Sequence, residues 1–250
     1  MSLLAQFIFR LAFGLTAAMA LVPARQVTSG YYRNNLYVLL GLNVLATLVS
    51  LAAPESFAVA PPLVGAIACY VGGVLWLYEK PVAGRWALGL IAALALAGAL
   101  LAPRPAGSTA LARALFDCDV VTGGMVLGTT MAAMLLGHWY LNSPTMALAP
   151  LRRLIWIMGT AIAVRAITCG LGLWLELEAG SWPSRQVLLF IVLRWLSGIF
   201  GAAGLTVMAW KTLLIPNTQS ATGILYVGVI ATFIGELVSL LLSSSTAYPL

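Results

Sequence analysis

Four charges interrupt long apolar runs of this chain: Arg10, Arg165, Arg194 and Glu236. Each arginine carries a planar fork of N–H donors that fits a carboxylate or a phosphate. Glu236 is suited to be a counter-ion to such a fork, or a proton site. Charges inside apolar segments are costly and persist where a partner or a ligand compensates them. Two further polar positions belong with this set. Asn43 shares a helical face with Thr47 and Ser50, and His138 stands in Gly137-His138-Trp139-Tyr140-Leu141-Asn142. An imidazole at that level could move protons or bind the headgroup of a quinone, with Asn142, Tyr140, Tyr31 or Tyr32 as partner.

Other chemistries lack their residues. Cys69, Cys118 and Cys169 are far apart and show no CxxC spacing, so they suit neither a zinc site nor an iron–sulfur cluster. Small packing residues are the expectation for Cys69 and Cys169. With one histidine in 250 residues, the chain cannot build a bis-histidine haem by itself. No nucleophile elbow, phosphate loop or dinucleotide fingerprint is present. Asp117-Cys118-Asp119 reads as a solvated helix start, its acids favoured by the helix dipole. No catalytic residue and no metal ligand is assigned.

The surroundings of these residues are lipid-like. The sequence is 62% hydrophobic and 8% charged, against about 25% charged in a soluble domain. The formal charge of +6 does not indicate nucleic acid, because the basic residues sit singly in short connections, as topology signals do. Eight apolar runs can be counted: 2–22, 35–53, 61–78, 86–102, 120–141, 154–176, 187–210 and 222–243. Each approaches the roughly 20 residues that cross the hydrocarbon core. All must be helices, because open strands leave their backbone unsatisfied in lipid. Breaks are expected at Pro23, Pro54, Pro61, Pro81, Pro103, Pro144, Pro183 and Pro216.

The expected fold is therefore an all-α integral membrane protein, a single polytopic domain over 1–250. A faint echo between Ala18-Met19 and Ala133-Met134 suggests two four-helix halves, 1–107 and 108–250. Ser108–Phe116 is expected to lie flat at the interface. Arg10 followed by apolar residues and Ala18-Met19-Ala20 also resembles a cleavable leader. Charge bias favours keeping the first helix. The connections after helices 1, 3, 5 and 7 hold Arg25, Arg33, Lys80, Arg85, Arg152, Arg153 and Lys211; those on the other side hold Arg104, Arg113 and Arg185. The positive-inside rule then puts both termini outside, and the compact loops point to a cell inner membrane.

Depth ties the polar residues together. At about 1.5 Å per residue, Arg194 and Glu236 lie ~11 Å from the outer ends of their helices, Arg10 ~12 Å and Arg165 ~17 Å. An Arg194–Glu236 pair is the natural inference, because the last two helices are antiparallel neighbours. Ser197, Gly198, Gly201 and Ala202 give the arginine's helix a small-residue face for close approach. Gly228, Thr232 and Ser239 share the face of Glu236. Three arginines against one glutamate leave positive charge over. Outer acids such as Asp117 and Asp119 could dip in, lipid phosphates could reach the layer, or an anionic ligand could bind there.

Two functional classes follow. The first is the membrane subunit of a redox or respiratory complex, binding a quinone or lipid between helices with no metal centre of its own. It would work beside other membrane or redox subunits. Its general shape is similar to the eight-helix quinol-binding anchors of respiratory oxidoreductases, in architecture and not in any motif. The second is a small permease or flippase-like carrier, with Arg10, Arg165 and Arg194 holding an anionic substrate. A structural scaffold is the remaining expectation.

Overall fold

The computed structural model describes residues 2–52, 58–102, 109–143, 145–179, 183–215, 217–244, 246 and 248–250. Pro54, Pro103, Pro144 and Pro216, expected as breaks, lie outside these residues, as does Arg104. The described chain is all-helical: α1 Ser2–Leu21, α2 Ser29–Ala52, α3 Ala60–Leu77, α4 Pro81–Leu100, α5 Ala110–Asn142, α6 Ala149–Glu178, α7 Arg185–Arg194, a π-helical segment Trp195–Gly201, α8 Ala202–Leu214 and α9 Thr218–Ser243. α7, the π segment and α8 form one continuous span, Arg185–Leu214. The described residues thus hold eight helices long and apolar enough to cross a membrane.

Helix ends differ from the apolar runs in a consistent way. α2 starts at Ser29 rather than 35, and α4 starts at Pro81 rather than 86. Pro61 and Pro81 are not breaks; they stand in the first turns of α3 and α4, where the missing N–H has no intrahelical partner to lose. The largest correction concerns α5. It runs unbroken from Ala110, so the Leu111–Phe116 segment is the start of a 33-residue helix and not a separate interfacial one. Thr109 caps it, its Oγ1 accepting from the Ala112 N–H at 3.2 Å. Ser184 and Asn217 cap α7 and α9 in the same manner. The apolar count finds the hydrocarbon-matched part of a helix, and capping and end contacts carry it further.

The end of the bundle where α1 starts is called the upper end below. α5 is the central helix and packs against α1, α6 and α9. Its contact with α1 is backbone on backbone. A Cβ placed on Gly14 would overlap Gly124, and one on Gly128 would overlap Gly14. In lipid, such small-residue seams replace the hydrophobic effect as the source of helix association. Gly198 and Gly235 make a second seam between the π segment and α9, on the small-residue face expected for that helix. Hydroxyls within the spans satisfy themselves locally. Thr16, Thr47, Thr130, Thr206 and Thr222 each donate to the carbonyl four residues back.

The lower end is closed by aromatic residues with backbone partners. Tyr31 Oη donates to the Ala132 carbonyl at 3.3 Å, Tyr32 Oη to Val22 at 3.2 Å and Tyr140 Oη to Ala147 at 2.5 Å. The Tyr32 ring stacks on Trp76, with centroids 3.9 Å apart. Arg152 Nη2 donates to the Leu213 carbonyl at the end of α8, 2.8 Å away. That contact joins α6 to α8 and opposes a cation to the negative end of a helix dipole.

Candidate functional site: a buried ion network

Toward the upper end, five helices send charged side chains to one place: Arg10 from α1, Asp119 from α5, Arg165 from α6, Arg194 from α7 and Glu236 from α9. All five are buried, with relative exposures from 0% for Arg165 to 3% for Arg10. Gly123 on α5 supplies the space. A Cβ there would fall 2.5 Å from Glu236 Oε2, 3.1 Å from Arg10 Nη1 and 3.2 Å from Arg165 Nη2. The side chains converge on bare backbone.

Arg165 is the hub. Its Nε donates to Glu236 Oε1 at 2.9 Å and its Nη2 to Glu236 Oε2 at 2.8 Å, a side-on bidentate pair. Nη2 also donates to Ser239 Oγ at 3.0 Å. Nη1 donates to Asp119 Oδ1, to the Asp119 carbonyl at 3.2 Å and to Thr122 Oγ1 at 3.2 Å. Every nitrogen of this guanidinium has an acceptor, which is the condition under which a buried ion pair offsets its desolvation.

Arg10 is tied less fully. Its Nη2 lies 2.7 Å from Asp119 Oδ2. That oxygen has no hydrogen bond among the described residues, so the contact is Coulombic, with the N–H directed off the oxygen. Nη1 reaches the Asp119 carbonyl at 3.5 Å, and Nε has no partner among the described residues. Arg194 is tied least. Its Nη2 donates to Cys169 Sγ at 2.7 Å and stands 3.9 Å from Glu236 Oε1. Nε and Nη1, both buried, have no partner among the described residues.

One expectation is extended here and one corrected. The expected Arg194–Glu236 pair is present, at 3.9 Å, but the closer, bidentate partner of Glu236 is Arg165; Arg194 is the outer member of the same cluster. Asp119 is not part of a solvated helix start. It lies in the third turn of α5 and links Arg10 to Arg165, so a second carboxylate joins the glutamate. Of the three ways to balance the arginines, the descent of an outer acid is realised once. Three arginines and two acids leave one positive charge. Asp119 had a sequence signal, since Thr122 and Gly123 follow at the third and fourth positions on its face. Cys169 also has a role beyond packing, because its sulfur accepts from Arg194.

Asn43 and His138 stand apart from the network. Asn43 Nδ2 donates to the Leu39 carbonyl at 2.9 Å and faces Cys69 Sγ at 3.7 Å, at the α2–α3 contact. Gly65 of α3 lies against its Oδ1. His138 is exposed, with Nδ1 3.3 Å from Tyr226 Oη of α9. Its partner is therefore Tyr226; Tyr31, Tyr32 and Tyr140 direct their hydroxyls to backbone carbonyls instead. Among the described residues no group of His, Cys, Asp and Glu is arranged to hold a metal ion. No protein-family model, curated protein or solved structure matches the chain.

Proposed function

We propose that this multi-pass membrane protein is a small permease or flippase-like carrier, and that it binds an anionic group at Arg194. One observation carries the reading. Arg194 is buried with two nitrogens that have no partner among the described residues, and its contact with Glu236 is long, at 3.9 Å, while both acids of the layer are held more closely by Arg10 and Arg165. A guanidinium in this state gains most from a bidentate carboxylate, phosphate or sulfonate head. Its neighbours Ile191 and Trp195 are apolar, which suits an anion with an apolar body. Arg10, Asp119, Arg165 and Glu236 then form the fixed frame beside it. The reading places the protein in a cell inner membrane with the upper end outside, on the bias of basic residues towards the lower connections.

Thermal unfolding of the purified protein tests this. Two probes are inorganic phosphate and mixed micelles containing phosphatidylglycerol, with phosphatidylcholine as control. At a hundredfold excess over Kd, a ligand stabilises by about 2.7 kcal/mol. The wild type is expected to be stabilised by at least one probe and Arg194→Gln by neither. Equal responses in the two proteins would refute the site. A response to phosphate indicates a free anion, and a response to phosphatidylglycerol only indicates a lipid head.

A second reading rests on the exposed His138–Tyr226 pair. A polar pair on the lipid-facing surface is a place for a quinone headgroup, in a subunit that relies on partner proteins for electrons. Quinone that co-purifies with the wild type and is lost in His138→Ala supports this reading; its retention in the variant removes it.

A further inference from the structure

Above the ion network, two helix faces carry polar residues in register. On α6, Arg165, Cys169, Gly172 and Glu176 are spaced by four, three and four residues, one stripe along the helix. On α9, Glu236, Ser239 and Ser243 are spaced by three and four. Between these stripes lies a segment of chain beyond α9, residues 248–250. The Tyr248 N–H donates to Glu176 Oε2 at 3.2 Å. The Leu250 N–H donates to Ser243 Oγ at 3.2 Å, and Ser239 Oγ donates to the Leu250 carbonyl. Pro249 sits on Gly172, where a Cβ would overlap its carbonyl.

The segment lies over Arg194. The Leu250 side chain is buried in a cluster with Ile191, Val238 and Leu242, and Trp195 packs against that cluster. Ile191 is one turn above Arg194, and Trp195 is its next residue. Ser239 joins the segment to the charges, since the hydroxyl that donates to Leu250 accepts from Arg165 Nη2. Among the described residues the attachments are few: four hydrogen bonds, the fourth from Thr246 Oγ1 to the Tyr248 carbonyl at 2.7 Å, each worth about 1 kcal/mol net, and the buried Pro249 and Leu250. Such a segment opens locally at far less cost than unfolding a helix.

We propose that residues 248–250 are a displaceable plug, closing the groove between α6, α7 and α9 that leads from the upper end down to Arg194. This rests on the carrier reading. The plug seals the network in the state described, and an anion approaching from the upper end reaches Arg194 only after Leu250 leaves the Ile191–Val238 cluster. Gly172 is its seat, and Glu176, Ser239 and Ser243 are its anchors. Cys169 lies about 4.5 Å below the seat along the helix axis and reports whether the groove is open.

The test labels Cys169 in detergent-purified protein carrying Cys69→Ala and Cys118→Ala. Two methanethiosulfonates are used, one with a sulfonate and one with a trimethylammonium group. Gly172→Val removes the seat and is expected to speed labelling by about tenfold or more, and Leu250→Ala, which only thins the plug, by about threefold. With the groove open, the sulfonate reagent should react faster than the cationic one, and Arg194→Gln should abolish that preference. Unchanged rates in Gly172→Val and Leu250→Ala, both eluting as folded protein, would overturn the plug. Faster labelling without charge preference would keep the plug and reject anion binding at Arg194. If Gly172→Val does not fold, Leu250→Ala decides the outcome by the same criterion.

Discussion

The two ends of this bundle solve one problem differently. At the lower end, Tyr31, Tyr32 and Tyr140 are buried polar side chains, and each hydroxyl donates to a backbone carbonyl. Each is a separate, neutral contact. Toward the upper end, Arg10, Asp119, Arg165, Glu236 and Arg194 are linked by ion pairs across five helices. A neutral hydroxyl that loses its bond costs about 1–3 kcal/mol, whereas a buried charge that loses its counter-ion costs about 3–5 kcal/mol. The lower end is thus a set of neutral hydroxyl fastenings, with the Tyr31 and Tyr32 rings packed edge to face, and the upper layer is a unit coupled through charge. Within that unit the difference recurs: Arg165 is saturated and Arg194 is not.

The contrast predicts a graded series, measured by unfolding in dodecyl sulfate mixed micelles. Asp119→Ala strips the counter-ion from Arg10 and one of its two carboxylates from Arg165, and should cost about 3–5 kcal/mol. Glu236→Gln keeps the shape and one acceptor, so the expected loss is about 2–3 kcal/mol, within the range for charged hydrogen bonds. A Glu236→Gln protein as stable as wild type would mean that the Arg165 fork is not structural. Gly123→Ala puts a methyl group among three charged side chains and should destabilise by about 1–3 kcal/mol through overpacking. Tyr31→Phe should lose about 1 kcal/mol. Coupling sharpens the comparison. The losses for Asp119→Ala and Glu236→Gln should fail to add when combined, whereas Tyr31→Phe should add to either, because distant sites behave independently.

How much of this could be read in the sequence follows from what depth encodes. Hydrocarbon thickness sets the length of an apolar run, so eight helices long and apolar enough to cross a membrane, and a common level for Arg10, Arg165, Arg194 and Glu236, are legible. Level says little about direction around a helix axis, and this is why the sequence points to the Arg194–Glu236 pair, present at 3.9 Å, but not to the closer bidentate hold of Arg165 on Glu236. Asp119, one of the outer acids that could dip in, has its place inside a helix hidden for another reason. An apolar run is ended at its last charge, and α5 continues ten residues past that point because its acid is neutralised inside the bundle. The π segment has no signal beyond its small residues, and its irregular turn directly follows Arg194, a placement common at functional sites. Residues 248–250 show no helical or strand period, and their position becomes visible only when Gly172 and Ser239 are side by side.

The most direct measurement compares Arg165→Gln with Arg194→Gln, each unfolded with and without phosphatidylglycerol. Arg165→Gln leaves two acids buried without their hub and should lose about 3–5 kcal/mol. Arg194→Gln removes the surplus charge and should change stability by less than about 1 kcal/mol in either direction, while abolishing the response to the anionic lipid. Equal losses for the two variants, with the lipid response intact in Arg194→Gln, would contradict the division of this layer into a closely paired frame and a loosely tied cation.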